Sequence, residues 1–310
     1  MKPYMRNHLL HFPWVTGLTR QSSIWRMLVV ALAITIFFCV SVNAQQTKQA
    51  SKSTVPAKKK VVKEKAPPVK LTIEPKAMEI LKAACDRLAT AKSMSFTAVV
   101  TYEYPSRLGP PVAYTTKSEV TLQRPDKLRV ITPGDGPASE FYYNGKNMVA
   151  FAPLENLVAI AEAPPTIDAA LKVAYDSAAI YYPFTDLIVA DPYKAIQEGL
   201  ILAFYIGQSK VLGGVTTDMV AYANKDVYLQ AWIGADDKLP RMIRGVYRAD
   251  PARLRHQLEL SNWKLDVDLS QDTFASLNAA NAKPMAFARP SSPPPLGAKP
   301  PAKAKPTKGK

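Results

Sequence analysis

The sequence predicts an α+β domain built mainly of antiparallel β-strands, on three observations. From residue 95 onward apolar residues recur at every second position over long stretches. Turn residues return every eight to fourteen positions, the spacing of sequential hairpins rather than of βαβ units. A run with helical spacing precedes the first strand, and others interrupt the strand sequence after five strands.

The first element spans residues 74–92, where Met78, Leu81, Cys85 and Leu88 form one stripe and Pro75 suits the first helical turn. The period then shortens to two. Phe96, Ala98, Val100, Tyr102 and Tyr104 alternate with Ser95, Thr97, Thr101 and Glu103. Residues 112–122 repeat the pattern, with Tyr114, Val120 and Leu122 opposite Lys117, Glu119 and Thr121. Residues 127–132 form a short strand carrying Leu128 and Val130 in phase. Asn144-Gly145 between two apolar stretches predicts a type I′ hairpin, which would set Phe141 opposite Met148. Residues 157–161 supply the next strand.

Residues 166–179 read as a helix with Thr166 as its N-cap, followed by short helices at 185–190 and 192–198. Strands resume at 201–210, 216–223, 227–233, 241–248 and 256–265, with Gly213-Gly214 as a turn. Residues 201–206 are apolar on both faces, so that strand is expected to be covered on both sides.

Charge and composition bound the chain at both ends. Residues 1–44 read as a signal peptide: Arg20 and Arg26 precede an uninterrupted apolar run at 27–42, and Val42-Asn43-Ala44 predicts cleavage after Ala44. An uncleaved anchor is the rival, although the run is short for a membrane span of about 20 residues. Residues 45–72 form a Lys/Pro/Ala-rich linker and 283–310 a Pro/Lys-rich tail, neither with enough apolar surface to offset the entropy of ordering. Residues 73–282 remain for one folded domain. The formal net charge of +15 is not in that domain, since residues 71–288 hold 22 Lys and Arg against 24 Asp and Glu. A basic groove for nucleic acid is therefore not supported. The basic arms could touch an anionic envelope surface, or be solvated tails that keep the protein in solution.

Catalytic and metal chemistry find little support. No HExxH, paired metal-ligand spacing, nucleophile elbow or phosphate loop occurs, so neither metal nor cofactor is expected. His256 is the single histidine after the signal segment, and it shares a strand face with Leu258 and Leu260. It reads as a hydrogen-bonded packing residue. Cys85, alone after cleavage, lies on an apolar helix stripe and reads as a buried structural thiol. Asp236-Asp237 suits a solvated turn.

Two stretches resemble a family. Arg124-Pro125-Asp126-Lys127-Leu128-Arg129 is similar to the turn leading into the third strand of periplasmic lipoprotein-carrier proteins. Tyr143-Asn144-Gly145-Lys146, followed by Ala152-Pro153-Leu154-Glu155-Asn156-Leu157-Val158, resembles their next hairpin. There Asn144 stands for the usual Asp, and Ala152 near the usual Tyr. Gly214-Val215-Thr216-Thr217-Asp218, Gln230-Ala231-Trp232-Ile233 and Ser261-Asn262-Trp263 are closer to a group of predicted periplasmic proteins of unknown function (DUF2092-like) in the same superfamily. The resemblance covers residues 74–274. It implies a sheet curled into a half-barrel with a helical lid, a periplasmic location, and an acyl chain held in the apolar concavity without enzymatic activity.

Strand phase then nominates the concave face: Phe96, Val100, Tyr102 and Tyr104, Tyr114 and Val120, and Phe141 with Met148. That face is either a filled core or a cavity for a lipid or acylated polypeptide, carried by a monomer. The alternative is an envelope sensor or adaptor that uses the same fold to recognise another protein.

Overall fold

The computed structural model describes residues 72–107, 109–134 and 136–289. The expected signal segment, nearly all of the linker and most of the tail lie outside the described residues.

Helix α1 (Pro75–Thr90) starts at a proline that needs no backbone donor in the first turn. Glu74 does not cap it with its side chain. Its carboxylate instead accepts from the Tyr205 backbone N–H at 2.9 Å, tying the helix start to the strand beneath. Ala77, Leu81 and Ala84 are buried against that strand and its neighbours, while Leu88 joins the main core and Cys85 is buried on the same helix.

Two antiparallel meanders lie side by side in one sheet. The first is β1 (Ser93–Tyr104), β2 (Val112–Gln123), β3 (Lys127–Thr132), β4 (Ser139–Tyr143), β5 (Asn147–Ala152) and β6 (Leu157–Glu162). Six strands thus precede the middle helices, because the Asn-Gly region contributes two. Helices α2 (Ile167–Ala178), α3 (Thr185–Ile188) and α4 (Pro192–Gln197) follow. The second meander is β7 (Leu200–Ser209), β8 (Thr217–Asn224), β9 (Val227–Gly234), β10 (Pro240–Tyr247) and β11 (Arg255–Leu265). Strand β11 pairs with β1, so the first strand sits at the seam. The 12-stranded order is β12-β6-β5-β4-β3-β2-β1-β11-β10-β9-β8-β7, antiparallel except where β12 (Lys283–Met285) runs parallel to β6. The sheet is open and curled, as the α+β reading anticipates.

Strand β7 departs from expectation. It is the last strand of the sheet, with Ile206 43% exposed, and is not covered on both faces. Its apolar run instead serves α1 on one side, through Ala203 and Tyr205.

The hairpin register also differs. Gly145 alone takes a positive φ, +90°. Asn144 folds its side chain back to accept from the N–H groups of Lys146 and Asn147 at 3.0 and 2.9 Å, an Asx turn within a four-residue loop. Tyr143 therefore faces Met148, and Phe141 faces Ala150. The slip is two positions, so side-chain parity survives and Phe141 and Met148 still share a face.

The residues that carry the family resemblance hold this scaffold together. Arg124 donates to the Ile188 carbonyl of α3 at 3.0 Å and to the Leu88 carbonyl of α1 at 3.4 Å. The Pro125 carbonyl accepts from Ile167 N–H at the start of α2. Asp126 packs so closely on Gly145 that a Cβ there would lie 2.5 Å from its Oδ2. Asn262, at φ +57°, forms a bulge and reaches Thr97 Oγ1. Trp263 stacks on Phe96 at 4.4 Å and donates to the Pro240 carbonyl.

Thr166 caps α2 as expected, its Oγ1 accepting from Ala169 N–H. At the other end of α2 the Arg289 guanidinium donates to the carbonyls of Tyr175 and Asp176. Residues 283–289 thus belong to the fold, although composition places them at the start of the tail. Strand β12 pairs with β6, and Phe287 packs on the main core. A chain ending at Ala282 should lose on the order of 2 kcal/mol, or about 5 °C in Tm, whereas one ending at Arg289 should melt with the full-length protein. Calorimetry of the two truncations checks this.

Candidate ligand-binding recess

The eight residues nominated from strand phase do share the helix-facing side of the sheet, but they divide in two. Phe96, Val100, Val120, Phe141 and Met148 are at most 7% exposed and pack with Leu171, Phe184 and Ile188 of the helical layer. Around these five the concavity is a filled core. Tyr102 is half-buried, and Tyr104 and Tyr114 are 50% and 46% exposed. Beyond the helices the core surface thus continues as open tyrosine rings. Tyr102 stacks on Tyr114 at 5.7 Å, and Tyr104 meets Tyr114 edge-on at 6.4 Å.

Register explains this change. Val220, Ala231, Ile243, Leu258, Val100 and Thr116 form one row across β8, β9, β10, β11, β1 and β2. The next row on the same face is Tyr222, Leu229, Gly245, His256, Tyr102 and Tyr114. Gly245 leaves room for Leu229, whose Cδ2 would sit 3.2 Å from any Cβ there. Tyr247 lies one row further out, edge-on to His256 at 5.2 Å. On β2, residues 112–118 extend past the pairing with β3, so this end of the β1–β2 hairpin overhangs the sheet.

Tyr181 and Asp186 come from the helical layer. Asp186 is exposed, yet burial by surrounding protein raises its carboxyl above the ordinary range. Tyr181, 36% exposed, and half-buried Tyr222 and Tyr247 have phenols pushed up first by desolvation. The nearby Asp186 charge adds to each of those three shifts. Tyr222, Leu229 and His256 continue across β8, β9 and β11 the row formed by Tyr102 and Tyr114 of the overhanging hairpin.

His256 lies in the same row, opposite Tyr102, its pKa lowered by desolvation against the pull of Asp250 and Glu103. Its contact is the ring of Tyr247 rather than the expected hydrogen bond, which is absent among the described residues. Cys85 is buried and its thiol pushed up to about 12, first by desolvation and then by Asp86 and Asp191. Such a thiol carries almost no thiolate at neutral pH. Among the described residues no group of His, Cys, Asp and Glu could hold a metal ion, and no helix is long and apolar enough to cross a membrane.

Desolvation by the surrounding protein is the one cause that holds the Asp186 carboxyl above its ordinary range. A folded-state pKa above the unfolded value means stability present at low pH and lost as pH rises through the folded pKa. Asp186→Asn should therefore raise the urea midpoint at pH 7, with a gain that shrinks toward pH 4. A gain independent of pH, or a loss, would contradict this placement of the carboxylate.

Sequence reasoning missed Tyr181, Asp186, Tyr222 and Tyr247. The same strand phase that nominated Tyr102 would have found Tyr222 and Tyr247 on β8 and β10. Tyr181 and Asp186 carry no periodic signal, because they lie in the short irregular stretch around α3.

The sheet is open, antiparallel and curled beneath a few helices, and the protein is periplasmic. The chain belongs to the family described as Predicted periplasmic protein (DUF2092), which matches residues 77–288. No curated protein matches it in sequence. In structure it is similar to the Mycobacterium tuberculosis lipoprotein LppX, with 13% identity and a TM-score of 0.41 over 64% of this chain and all of that one. It is similar to a LolA superfamily protein from Nitrosomonas europaea, at 10% identity and 0.32 over 64% and 97%. The complex of Pseudomonas aeruginosa MucA and MucB gives 14% and 0.37 over 67% and 63%.

Proposed function

We propose that this protein is a non-enzymatic periplasmic binding protein that holds the acyl part of a lipid, or of an acylated polypeptide, against the open tyrosine face. The observation that carries the reading is the uncovered aromatic face of Tyr102, Tyr104 and Tyr114, which extends the core beyond the helices instead of ending in polar residues. Apolar rings left open on a concave face gain by burial against an acyl chain, roughly 25 cal/mol for each Å² covered. Of the eight residues nominated from sequence, these three are proposed to meet the ligand, while Phe96, Val100, Val120, Phe141 and Met148 support them from the core.

The domain is exported by its signal segment, cleaved after Ala44, and acts as a monomer, its basic arms free to touch anionic envelope surfaces. Native mass spectrometry of the protein isolated from the periplasm, with organic extraction of its ligand, tests the reading. The expected result is a single bound amphiphile on the folded domain. A polypeptide captured equally well by lipid-stripped protein would overturn it in favour of the adaptor reading. The end of β7 and the loop after it, with Ile206, Val211 and Val215 exposed, would then be the surface to mutate first.

A further inference from the structure

The C-terminal end of the fold is fixed on the side of the sheet that carries the open tyrosine rings. Arg289 donates to the carbonyls of Tyr175 and Asp176 at 3.0 and 2.9 Å, and its guanidinium sits 5.3 Å from the Tyr175 ring of α2. Met285, on β12, stands in one row with Ala159, Ala150, Phe141, Val130 and Val120. Tyr114 is six residues from Val120 along β2, and β2 is five strands from β12. At about 3.4 Å per residue and about 4.8 Å per strand, the path from Met285 to Tyr114 is roughly 30 Å.

The sequence continues past Arg289 through residues 290–310, and the stretch 293–301 holds Pro293, Pro294, Pro295, Pro300 and Pro301. A polyproline II chain rises about 3.1 Å per residue, so about ten residues beyond Met285 cover that path and bring the first three of these prolines to the tyrosines. Proline rings pack on open aromatic faces, and the polyproline II conformation exists before contact, so little ordering entropy opposes docking. Its carbonyls have no internal partner, and the phenol hydroxyls of Tyr102, Tyr104 and Tyr114 donate to nothing among the described residues.

We propose that residues 293–301 lie across the rings of Tyr102, Tyr104 and Tyr114 in the empty protein, and that an acyl chain displaces them. The displacement rests on the binding role proposed above; the contact itself does not. Tethering supplies the segment at a roughly millimolar effective concentration, so a contact too weak to hold a free peptide still covers the rings. The lysines from Lys303 onward are left for an anionic surface.

A nitroxide on Ala298→Cys tests the placement in the chain from Gln45 to Lys310, since Cys85 is buried and its thiol unreactive. Tyrosine-ring signals are read by NMR, with Tyr228, 41% exposed on the opposite face of the sheet, as the reference. The label is expected to broaden Tyr104 and Tyr114 at least threefold more than Tyr228. Replacing all five prolines by alanine should remove that difference with circular dichroism unchanged, and should tighten binding of an uncharged dodecyl probe about threefold. Saturating probe should remove the difference in the wild type as well. Equal broadening of Tyr228, a difference that survives loss of the prolines, or one that disappears on dilution with unlabelled protein would overturn the contact, while micromolar probe binding would still uphold the acyl reading. A probe affinity unchanged by loss of the prolines would overturn the displacement. If the label broadens the rings as expected but no probe binds, the contact stands and the acyl reading fails.

Discussion

Phe141→Glu and Met148→Glu are expected to unfold the domain. Phe141 is 2% exposed, pairs with Val130 and Ala150, and meets the ring of Tyr182 at 5.9 Å. Met148 is fully buried opposite Tyr143, whose hydroxyl donates to the Pro164 carbonyl at 2.6 Å. Removing a buried aromatic side chain costs about 3–5 kcal/mol through lost transfer and the cavity left behind. A carboxylate in its place has no partner and adds several kcal/mol of desolvation or forced protonation. The sum rivals the whole stability of a typical domain, about 5–15 kcal/mol. Circular dichroism and thermal melts should show no cooperative transition for either variant. A folded Phe141→Glu would mean that the core beneath α2 and α3 is an open cavity after all.

Arg124→Ala should produce the second large effect, through the helical layer rather than the sheet. Arg124 is desolvated, which lowers its pKa, and it joins the last turn of α1 to the end of α3 across the seam of the sheet. Hydrogen bonds from a charged donor are worth about 1.5–3 kcal/mol each, partly offset by the cost of burying the guanidinium. A net loss of about 3 kcal/mol is expected, read as a lower urea midpoint with an unchanged slope. The variant would also enlarge the space of about 150 Å³ between Arg124, Thr166, Asp168 and Ala190. Arg124→Lys should recover little, since one ammonium on a flexible stem does not reproduce a planar fork aimed at two carbonyls. An Arg124→Ala midpoint within error of the wild type would show that packing alone holds the helices in place.

The element types, their order and the inward face of β1–β5 were legible because they rest on local periodicity. Phe96, Val100, Val120, Phe141 and Met148 all lie on the face that their strand phase assigns. What periodicity does not contain is where the helices stop. The core and the open tyrosines share one continuous face, and Val100 is covered by the helical layer where Tyr102 is only half-buried. The hairpin was misread for a similar reason. Asn-Gly is compatible with a two-residue turn, but Asn144 commits its side-chain oxygen to the N–H groups of Lys146 and Asn147 and closes a four-residue loop instead. The tail boundary failed because Arg289 and Phe287 are isolated contacts in a Pro/Lys-rich context, invisible to composition. The stretches that betray the family, around Arg124, Asn144 and Asn262, build turns, bulges and anchors. None of them belongs to the open tyrosine face, so the features that make the fold recognisable are separate from those that would choose a ligand.

The account's central claim is that the open tyrosine face, and not the filled core, takes an acyl chain. Fluorescence titration with an uncharged dodecyl probe measures this directly on wild type, Tyr102→Glu and Tyr114→Glu. The wild type should bind at micromolar concentration. Tyr114→Glu, changed at an exposed position, should melt like the wild type and bind at least tenfold more weakly, and Tyr102→Glu should lose binding as well. A wild-type domain that leaves the probe free at micromolar concentration, or two folded charged variants that bind it unchanged, would contradict the claim.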